Sequence, residues 1–478
     1  MLSLLSTVLA SPGLDAALTL AWLAIAVSVT VDVLLTKSDV RAALGWIAAA
    51  WLSPILGGAL YFLFGINRVT RRALKLTRRR RRRMRPASGQ APALAENIAQ
   101  LAEVSGKVIG GELSGGNLLT PLNGGDEAYP QMLAAIDGAT KGVVLASYIF
   151  RDDAAGRRFI EALGRAKARG VEVRVLLDSV GAGYLWSPAL NRLRAVGVRA
   201  GRFLHTWLPW RMPFLNMRNH RKILVVDGCL AFVGGINIGA ENCAALRPED
   251  HIDDIHFRVE GPAVRAIMEA FAHDWDFTTG EVLDAAFWWP ELAPAGATFV
   301  RGLSSGPDAD LYKLEAILGA ALTLARKRVR IVTPYFLPDA RLQFAIAQAA
   351  LRGVAVQIVL PHKSDQRLMD WAMAAHVRFF RHVGAHFFAT QGSFDHSKLA
   401  TVDGQWCLIG SSNWDARSFR LNFEFDLECY GADFTAAIDA AIDQRIARGR
   451  ALTPEALLAR PVWLRLRDAA ARLILPYL

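Results

Sequence analysis

The same pattern of polar and apolar residues occurs twice in this chain, as NHRKILVVDGCLAFVGGIN at residues 219–237 and as DHSKLATVDGQWCLIGSSN at residues 395–413. Both copies read H-x-K-x4-D, followed after six residues by G-[GS]-x-N. One copy alone is a weak indication, whereas two copies with the same offsets indicate an internal repeat. The chain is therefore expected to fold as two related halves.

The segments around the two copies repeat as well, because each is preceded by a predicted strand, helix and strand. These elements are predicted at residues 142–150, 155–170 and 171–178, and again at 328–336, 339–353 and 354–361. Strands that alternate with helices of this length are typical of α/β units. The sequence therefore predicts two pseudo-symmetric α/β halves with mixed, largely parallel sheets.

The polar residues of each copy stand at the start of a strand. Residues i and i+2 of a strand share a face, so His220 and Lys222 point the same way, as do His396 and Lys398. Two imidazoles and two ammonium groups suit a phosphodiester, because lysines neutralise its oxygens and histidines attack phosphorus and protonate the leaving alkoxide. The alternative is two structural histidines, each beside a surface lysine, and it does not account for the shared offsets.

The N-terminal region is strongly apolar. Residues 16–31 and 42–67 are uncharged, and the whole chain is 53% apolar with a mean hydropathy of +0.23. These lengths predict a two-helix transmembrane hairpin within residues 1–67, with Asp32 at the membrane interface. The first run lacks the basic start of a secretory signal peptide, and a second apolar run follows it directly.

The net charge of +11 comes from one segment, because residues 68–85 hold eleven Lys and Arg and no acid. The rest of the chain has 44 basic and 44 acidic residues, which argues against a nucleic-acid-binding body. A basic run directly after a predicted span favours anionic headgroups over a nucleic-acid or nuclear-import patch. By the positive-inside rule we expect a multi-pass protein of the bacterial cytoplasmic (inner) membrane, with its catalytic body on the cytoplasmic side.

The sequence resembles the bacterial cardiolipin synthases of the phospholipase D superfamily over nearly its whole length. The resemblance rests on the duplicated motif, on PILGGALYFLFG in the second apolar run, and on TPYFLPD and GSSNWDARSFRLNFE at residues 333–339 and 410–424. It implies transfer of the phosphatidyl group of one phosphatidylglycerol to another, with release of glycerol. It also implies phosphatidylglycerol and anionic membrane lipids as partners, and no nucleic acid.

The resemblance assigns the site residues by position. One half-site holds His220, Lys222 and Asp227, and the other holds His396, Lys398 and Asp403. Asn237, Asn413 and Ser411 are assigned to phosphate binding. Asp254 and Glu424 are assigned as the acids that each orient the histidine of the motif they follow. Family practice makes the first histidine the nucleophile, although the near-symmetry of the sequence leaves this open. Asp227 and Asp403 lie in VDG turns and are expected to hold strand ends rather than touch phosphate, and Asp254 and Glu424 have ordinary salt bridges as their alternative.

Further expectations concern ligands, domains and exposed aromatic residues. The four cysteines are scattered and no carboxylate cluster accompanies the motif, so neither a metal nor a cofactor is predicted. Aromatic stretches at residues 204–214 and 287–290 either dip into the membrane or pack in the body. The predicted domains are the hairpin (1–67), a basic cytoplasmic linker (68–110), and the two halves (111–295 and 296–478).

Three other functions share the motif. A nuclease or phosphodiesterase is disfavoured by the apolar spans and the charge-neutral body. An inactive membrane scaffold is disfavoured because both half-sites are intact. A phospholipase D-type hydrolase, or a transferase with another alcohol acceptor or another donor such as phosphatidylethanolamine, remains the main alternative. The sequence does not predict an oligomeric state.

Overall fold

A computed structural model describes residues 12–37, 40–65, 94–111, 113–207, 217–308 and 310–474. The chain forms two units, an N-terminal hairpin and an α/β body. The arginine-rich segment 68–85 and most of the aromatic stretch 204–214 lie outside the described residues.

The hairpin contains three α-helices and a final π-helical turn. They are α1 (Pro12–Thr36), α2 (Val40–Leu52), α3 (Pro54–Leu60) and the turn Tyr61–Gly65. Among the described residues, one helix is long and apolar enough to cross a membrane, over Ala16–Thr36. The second apolar run is divided near Ser53 into shorter helices rather than forming a single long one. Pro54 begins a new helix there, because a proline has no N–H to continue the preceding one.

Two polar contacts link the helices of the hairpin. The hydroxyl of Tyr61 donates to Asp32 at 2.6 Å, and the indole N–H of Trp51 donates to Thr30 at 3.1 Å. Large apolar side chains such as Leu34 and Leu35 remain exposed on the hairpin. Exposed apolar helices of this kind fit membrane association.

The C-terminal part of the predicted linker, residues 68–110, is not a linker. It forms helix α4 (Glu96–Ile109), which belongs to the body. Its residues Ile98 and Leu101 are fully buried in the core of the second half. Ser105 on the same face donates to Glu428 at 2.6 Å. The buried residues of α4 are spaced by three or four positions, as in an amphipathic helix, so the helix is held to the body by packing of one face.

The first half begins with a long strand and ends with a helix. Its elements are β1 (Ser114–Asn123), α5 (Gly124–Gly138), β2 (Gly142–Ser147), α6 (Ala154–Ala168), β3 (Glu172–Asp178), α7 (Pro188–Ala195), β4 (Arg199–Phe203), β5 (Arg218–Asn219), β6 (Ile223–Val226), β7 (Leu230–Gly234), β8 (Ile252–Asp253), β9 (Ile255–Glu260) and α8 (Val264–Thr279).

The second half repeats this order and adds elements at its C-terminal end. Its elements are β10 (Thr298–Ser305), α9 (Lys313–Leu324), β11 (Arg328–Val332), β12 (Phe336–Leu337), α10 (Ala340–Leu351), β13 (Ala355–Pro361), α11 (Arg367–Val377), β14 (His386–Thr390), β15 (Phe394–Asp395), β16 (Leu399–Val402), β17 (Trp406–Gly410), β18 (Trp414–Asp415), α12 (Ala416–Arg420), β19 (Asn422–Tyr430), α13 (Ala432–Arg448), β20 (Gly449–Ala451), α14 (Pro454–Leu458) and α15 (Val462–Ile474).

The repeat is visible in the order of the strands. The first half reads β4-β3-β2-β6-β7-β9-β1 and the second reads β14-β13-β11-β16-β17-β19-β10, and an antiparallel β1–β10 pair joins them into one sheet. Equivalent helices even begin alike, because Asp153 and Asp339 each accept two backbone N–H groups at the start of α6 and α10. The two related α/β halves are thus confirmed.

The expectation of largely parallel sheets is wrong. Within each half, parallel pairing in the main sheet is confined to three strands, β2-β3-β4 and β11-β13-β14, and the short pair β12–β18 lies outside that sheet. The strands β6, β7 and β9, and their equivalents β16, β17 and β19, pair antiparallel. The physical reason is the short Asp-Gly turn after each motif strand, which allows only an antiparallel hairpin.

These turns explain the aspartate of the repeated motif. Asp227 and Gly228 have φ values of 52° and 70°, and Asp403 and Gly404 have 52° and 69°. Two consecutive positive φ values are those of a type I′ hairpin turn, for which Asp-Gly is a preferred pair. The carboxylate of Asp227 accepts the backbone N–H groups of Thr140, Lys141 and Gly142 at 2.7–2.9 Å, so it ties the turn to the start of β2.

The second turn has the same arrangement. Asp403 accepts the N–H groups of Arg326, Lys327 and Arg328 at 2.8–2.9 Å, and the side-chain amide of Asn97 in α4 at 2.8 Å. Burial alone would raise the pKa of Asp403, but these donors hold it below its usual value.

We predict that Asp403→Ala destabilises the body by about 1–3 kcal/mol, since several backbone donors lose their acceptor. Asp403→Asn keeps a carbonyl acceptor and is expected to lose less. Because the pKa of Asp403 is lowered in the folded state, its contribution is present above the unfolded-state pKa and is lost as pH falls through the folded-state pKa. Thermal unfolding in detergent at neutral and acidic pH measures both effects. An alanine variant as stable as the wild type at neutral pH would contradict this role.

Candidate active site

Each motif enters the sheet beside the opposite half. The strand β5, which leads into the first motif, pairs in parallel with β19 of the second half, and the N–H of His220 donates to the carbonyl of Phe423 at 2.9 Å. The strand β15 pairs in the same way with β8 of the first half, and the N–H of His396 donates to the carbonyl of Asp253 at 2.7 Å. The two motifs therefore exchange partners across the boundary between the halves.

This exchange decides which acid each histidine meets. Nδ1 of His220 lies 2.9 Å from the carboxylate of Glu424, and Nδ1 of His396 lies 2.7 Å from the carboxylate of Asp254. Both acids are the ones selected from the sequence, but the expectation that each orients the histidine of its own motif is wrong. Because β5 and β15 each pair with the other half, each acid contacts the other motif's histidine.

The carboxylates also assign the protons on the two rings. Although burial opposes ionisation, contacts with His220, Lys222 and Ser411 keep the pKa of Glu424 below its usual value, and contacts with Lys398 and His396 do the same for Asp254. A carboxylate accepts hydrogen bonds, so Nδ1 carries the proton and Nε2 of each ring keeps a lone pair for chemistry. Nζ of Lys398 also lies 2.7 Å from Nδ1 of His396, and with Nδ1 protonated this is a close approach rather than a hydrogen bond.

The two motif lysines are almost completely buried. Nζ of Lys222 donates to the carbonyl of His220 at 2.7 Å, and Nζ of Lys398 contacts the carbonyl of His396 and lies 3.5 Å from Asp254. Burial lowers the pKa of Lys222 to about 7, with a further decrease from Lys398 that Glu424 and Asp254 oppose. Two cations that disfavour one another in a dry site are stabilised by a bound anion.

Both histidines are neutral at neutral pH. Burial lowers the pKa of His220 to about 4, since Glu424 opposes this decrease while Lys222 and Lys398 add to it. The pKa of His396 is lowered as well, first by burial and then by Lys398. The influence of Lys398 on His220 shows that the two half-sites share one electrostatic environment.

The remaining predicted site residues have different positions. Asp227 and Asp403 lie five residues beyond the lysines, about 16 Å along a strand, and bind backbone N–H groups at strand ends, as the sequence predicts for them. The Ser411 hydroxyl donates to Glu424 at 2.6 Å, which places it on the orienting acid rather than toward a phosphate. The side-chain oxygen of Asn237 accepts the N–H of Ile149 at 3.1 Å, whereas that of Asn413 is buried with no partner among the described residues.

The Gly-for-Ser difference between the motifs has a steric cause. A Cβ on Gly235 would lie 2.2 Å from an oxygen of Asp254, so no side chain fits there. At the equivalent position in the second motif, Ser411 contacts Glu424, whose carboxylate stands on a side chain one methylene longer. The two half-sites are therefore similar but not identical in their surroundings.

Two residues near His220 escaped the sequence analysis. The ring of Tyr148 lies 5.0 Å from that of His220, and Nζ of Lys222 lies 5.3 Å from the Tyr148 ring. Arg221 points to the other side of the strand, where it donates to Asp274 at 2.8 Å and to the carbonyl of Glu424 at 3.1 Å. Strand alternation predicts that Arg221 points away from His220 and Lys222, but nothing in the sequence identifies Asp274 as its partner.

The aromatic stretch at residues 287–290 packs in the body. Trp288 is 3% exposed, and Trp289 donates its indole N–H to the carbonyl of Leu283 at 2.7 Å. In the other stretch, Trp207 is exposed, and the residues that follow it lie outside the described ones. Within the described residues, no group of three or more His, Cys, Asp and Glu side chains is placed to hold a metal ion.

Comparison with known proteins agrees with this geometry. The family model described as "Cardiolipin synthase, PLD-like domain" matches residues 132–275 and 318–446, which contain both motifs. A second model, described as phospholipase D-nuclease N-terminal, matches residues 24–65 in the hairpin.

Similar proteins cover nearly the whole chain. A cardiolipin synthase of Listeria monocytogenes is 29% identical over 94% of this chain and 96% of its own length, and the major cardiolipin synthase of Bacillus subtilis is 28% identical over 92% and 95%. Among solved structures, Haemophilus influenzae phosphatidylserine synthase is 16% identical, with a TM-score of 0.61 over 79% of this chain and 100% of its own. That structure supports the fold of two phospholipase D-like halves. With a family model that matches more than half of its residues and carries both motifs, this chain belongs to the cardiolipin synthase, PLD-like domain family of the phospholipase D superfamily.

Proposed function

We propose that this protein is a cardiolipin synthase that passes the phosphatidyl group of one phosphatidylglycerol to a second one and releases glycerol. The observation that carries the proposal is the pair of imidazoles, each held at Nδ1 by a buried carboxylate, beside two buried lysines. The names of the full-length relatives support the same activity.

In the first step, Nε2 of one histidine attacks phosphorus and the bond from phosphorus to the glycerol oxygen breaks. The other histidine, which takes up a second proton at Nε2 as the anionic phosphodiester binds, gives that proton to the leaving alkoxide, while Lys222 and Lys398 offset the charge that grows on the non-bridging oxygens. In the second step, a glycerol hydroxyl of another phosphatidylglycerol loses its proton to that second histidine and attacks phosphorus, and the phosphorus–nitrogen bond breaks. The atoms and protons balance over the two steps.

The surroundings of the two acids favour His220 as the nucleophile. The carboxylate of Glu424 accepts four donors, from His220, Ser411, Ser418 and Asn422, at 2.6–3.1 Å. A carboxylate with so many donors gives less stabilisation to an imidazolium, so His220 stays neutral. Asp254 accepts hydrogen bonds from His396 and the N–H of Ile255, with Lys398 as an ion-pair partner at 3.5 Å, so it has fewer hydrogen-bond donors than Glu424 and stabilises a protonated His396 more strongly.

The proposal includes a setting at the membrane. We infer that the hairpin anchors the protein in the bacterial inner membrane with the body on the cytoplasmic side, as the basic run that follows the hairpin suggests. The apolar helix Ala16–Thr36 supports an anchor in lipid. A fixed position at the bilayer keeps the acceptor lipid concentrated next to the intermediate, which favours transfer over hydrolysis.

We predict that His220→Ala and His396→Ala each lower cardiolipin formation by on the order of 10²–10⁴, since both attack and proton transfer are required. His386→Ala, at an exposed histidine of β14, serves as the matched control and keeps wild-type activity. The measurement is the conversion of labelled phosphatidylglycerol in liposomes by purified variants.

The same variants test the order of the histidines. His396→Ala is expected to accumulate a base-stable, acid-labile label on the protein, and His220→Ala none. A label on the His220→Ala protein alone would reverse the assignment. Phosphatidic acid as the main wild-type product would instead identify a phospholipase D-type hydrolase.

A pH profile tests the charges of the site. We expect kcat/KM to rise as pH increases through about 4, where His220 loses its proton. It should fall toward higher pH as His396 loses the proton that it must donate and, at about 7, as Lys222 loses its charge. Ser411→Ala removes a donor from Glu424, which makes that carboxylate more basic and raises the pKa of His220. The acidic limb should therefore move to higher pH in Ser411→Ala while the alkaline limb stays in place. An unchanged acidic limb would separate Ser411 from the titration of His220.

We further predict that activity does not depend on a divalent metal, because Lys222 and Lys398 supply the positive charge at the phosphate. Activity in detergent micelles should persist in EDTA. Loss of activity that Mg²⁺ or Ca²⁺ restores in micelles, where lipid packing is not at issue, would contradict this prediction.

A further inference from the structure

The helix α15 near the end of the described chain carries an exposed apolar stripe. Val462, Trp463 and Leu466 are each 65% exposed, and Leu473 is 70% exposed. Their spacing of three to four residues, continued by the exposed Ala470, places them on one side of the helix. In a water-solvated helix the apolar stripe normally faces the core, so this one is inverted.

The opposite side of α15 is fixed to the body by charged and aromatic contacts. Asp468 is buried and accepts from Arg460 at 3.1 Å and from Arg467 at 2.8 Å. The guanidinium of Arg467 lies 4.4 Å from the ring of Trp371 in α11, and that of Arg472 lies 4.9 Å from the ring of Phe379. These contacts set the rotation of α15, so the outward direction of its apolar stripe is built into the fold.

Positive charge surrounds the stripe. The helix contains Arg465, Arg467 and Arg472 against one acid, Asp468, and Arg460 and Arg378 lie next to it. Burial lowers the pKa of Arg378, Asp468 opposes this decrease, and the neighbouring Arg465, Arg460 and Arg472 add to it. An apolar stripe with an arginine border matches the chemistry of an anionic lipid surface.

The length and charge of the helix distinguish a bilayer from other occupants. Thirteen residues make a helix of about 20 Å, which is too short to cross a hydrocarbon core of about 30 Å but long enough to lie in the interface. A second copy of the chain packed symmetrically on the stripe would bring the two arginine borders together, which is unfavourable.

We propose that α15 is an interfacial docking helix that lies along an anionic phospholipid bilayer. Val462, Trp463, Leu466 and Leu473 enter the boundary between headgroups and acyl chains, and the positive charge of the neighbouring arginines attracts the anionic surface. This contact is additional to the N-terminal hairpin and does not depend on the reaction proposed above. It holds the second half at the lipid surface by a segment at the other end of the chain.

The test uses the full-length protein with one environment-sensitive fluorophore. Leu466→Cys is labelled in a Cys229→Ser background, because Cys229 is the exposed one of the four cysteines. Leu351→Cys is the matched control, since Leu351 is 61% exposed and lies on α10. Each protein is placed in vesicles of phosphatidylcholine alone or of phosphatidylcholine with phosphatidylserine, with and without nitroxide-labelled lipid.

We expect the probe at Leu466 to shift to shorter wavelength in the anionic vesicles and to lose about half or more of its emission to the nitroxide lipid. In neutral vesicles the shift should be smaller, and about 0.5 M salt should reduce the anionic effect, because screening shortens the reach of the arginine charges. The probe at Leu351 should report water throughout.

Two results would overturn the proposal. One is an aqueous, unquenched probe at Leu466 in anionic vesicles. The other is a shift that is equal in both vesicles, together with disulfide formation between chains in an unlabelled sample of the Leu466→Cys protein, which would assign the stripe to a second copy. An independent check combines Leu466→Asp with a labelled Leu473→Cys in one protein. Because Leu466 is exposed, this protein is expected to fold and to keep its melting temperature. The probe at position 473 should then no longer be quenched by the nitroxide lipid.

Discussion

The active site depends on two very short parallel strand pairings that cross the boundary between the halves. Through β5 with β19 and β15 with β8, each motif histidine reaches a carboxylate of the opposite half. A hydrogen bond at Nδ1 fixes the orientation of the histidine ring and keeps the proton on Nδ1, so that Nε2 points toward the substrate. Attack and proton transfer at a single phosphorus require this arrangement. Neither half contains a complete pair of histidine and acid, so catalysis requires both halves in register.

The burial of the site explains its charge state. Two ammonium groups and two carboxylates share a dry environment, in which burial lowers the pKa of both lysines while Asp254 and Glu424 oppose that decrease. The same burial keeps both imidazoles neutral until a phosphate arrives. The unequal surroundings of Glu424 and Asp254 then provide a physical reason why two similar half-sites take different roles.

The sequence revealed the repeat, the two His-Lys pairs and the identity of both orienting acids, because these are expressed in local spacing and strand alternation. It did not reveal that Glu424 contacts His220, since that contact joins residues about two hundred positions apart through a two-residue strand pair. The packing of Ile98 and Leu101 in the second half, and the antiparallel majority of the sheet, are likewise long-range outcomes. The new helix at Pro54, in contrast, follows from a local feature of the sequence, since proline cannot continue the preceding helix.

The exchange of acids between the halves is tested most directly by nitrogen NMR of the histidine side chains in the full-length protein. The Nδ1–H signals of His220 and His396 are assigned by replacing each residue with glutamine. If the acids are exchanged, Glu424→Gln moves the signal of His220 and leaves that of His396 in place, and Asp254→Asn does the reverse; this is the result we predict. If Asp254→Asn instead moved the His220 signal and Glu424→Gln moved the His396 signal, each acid would serve its own motif, and the exchange between the halves would be contradicted.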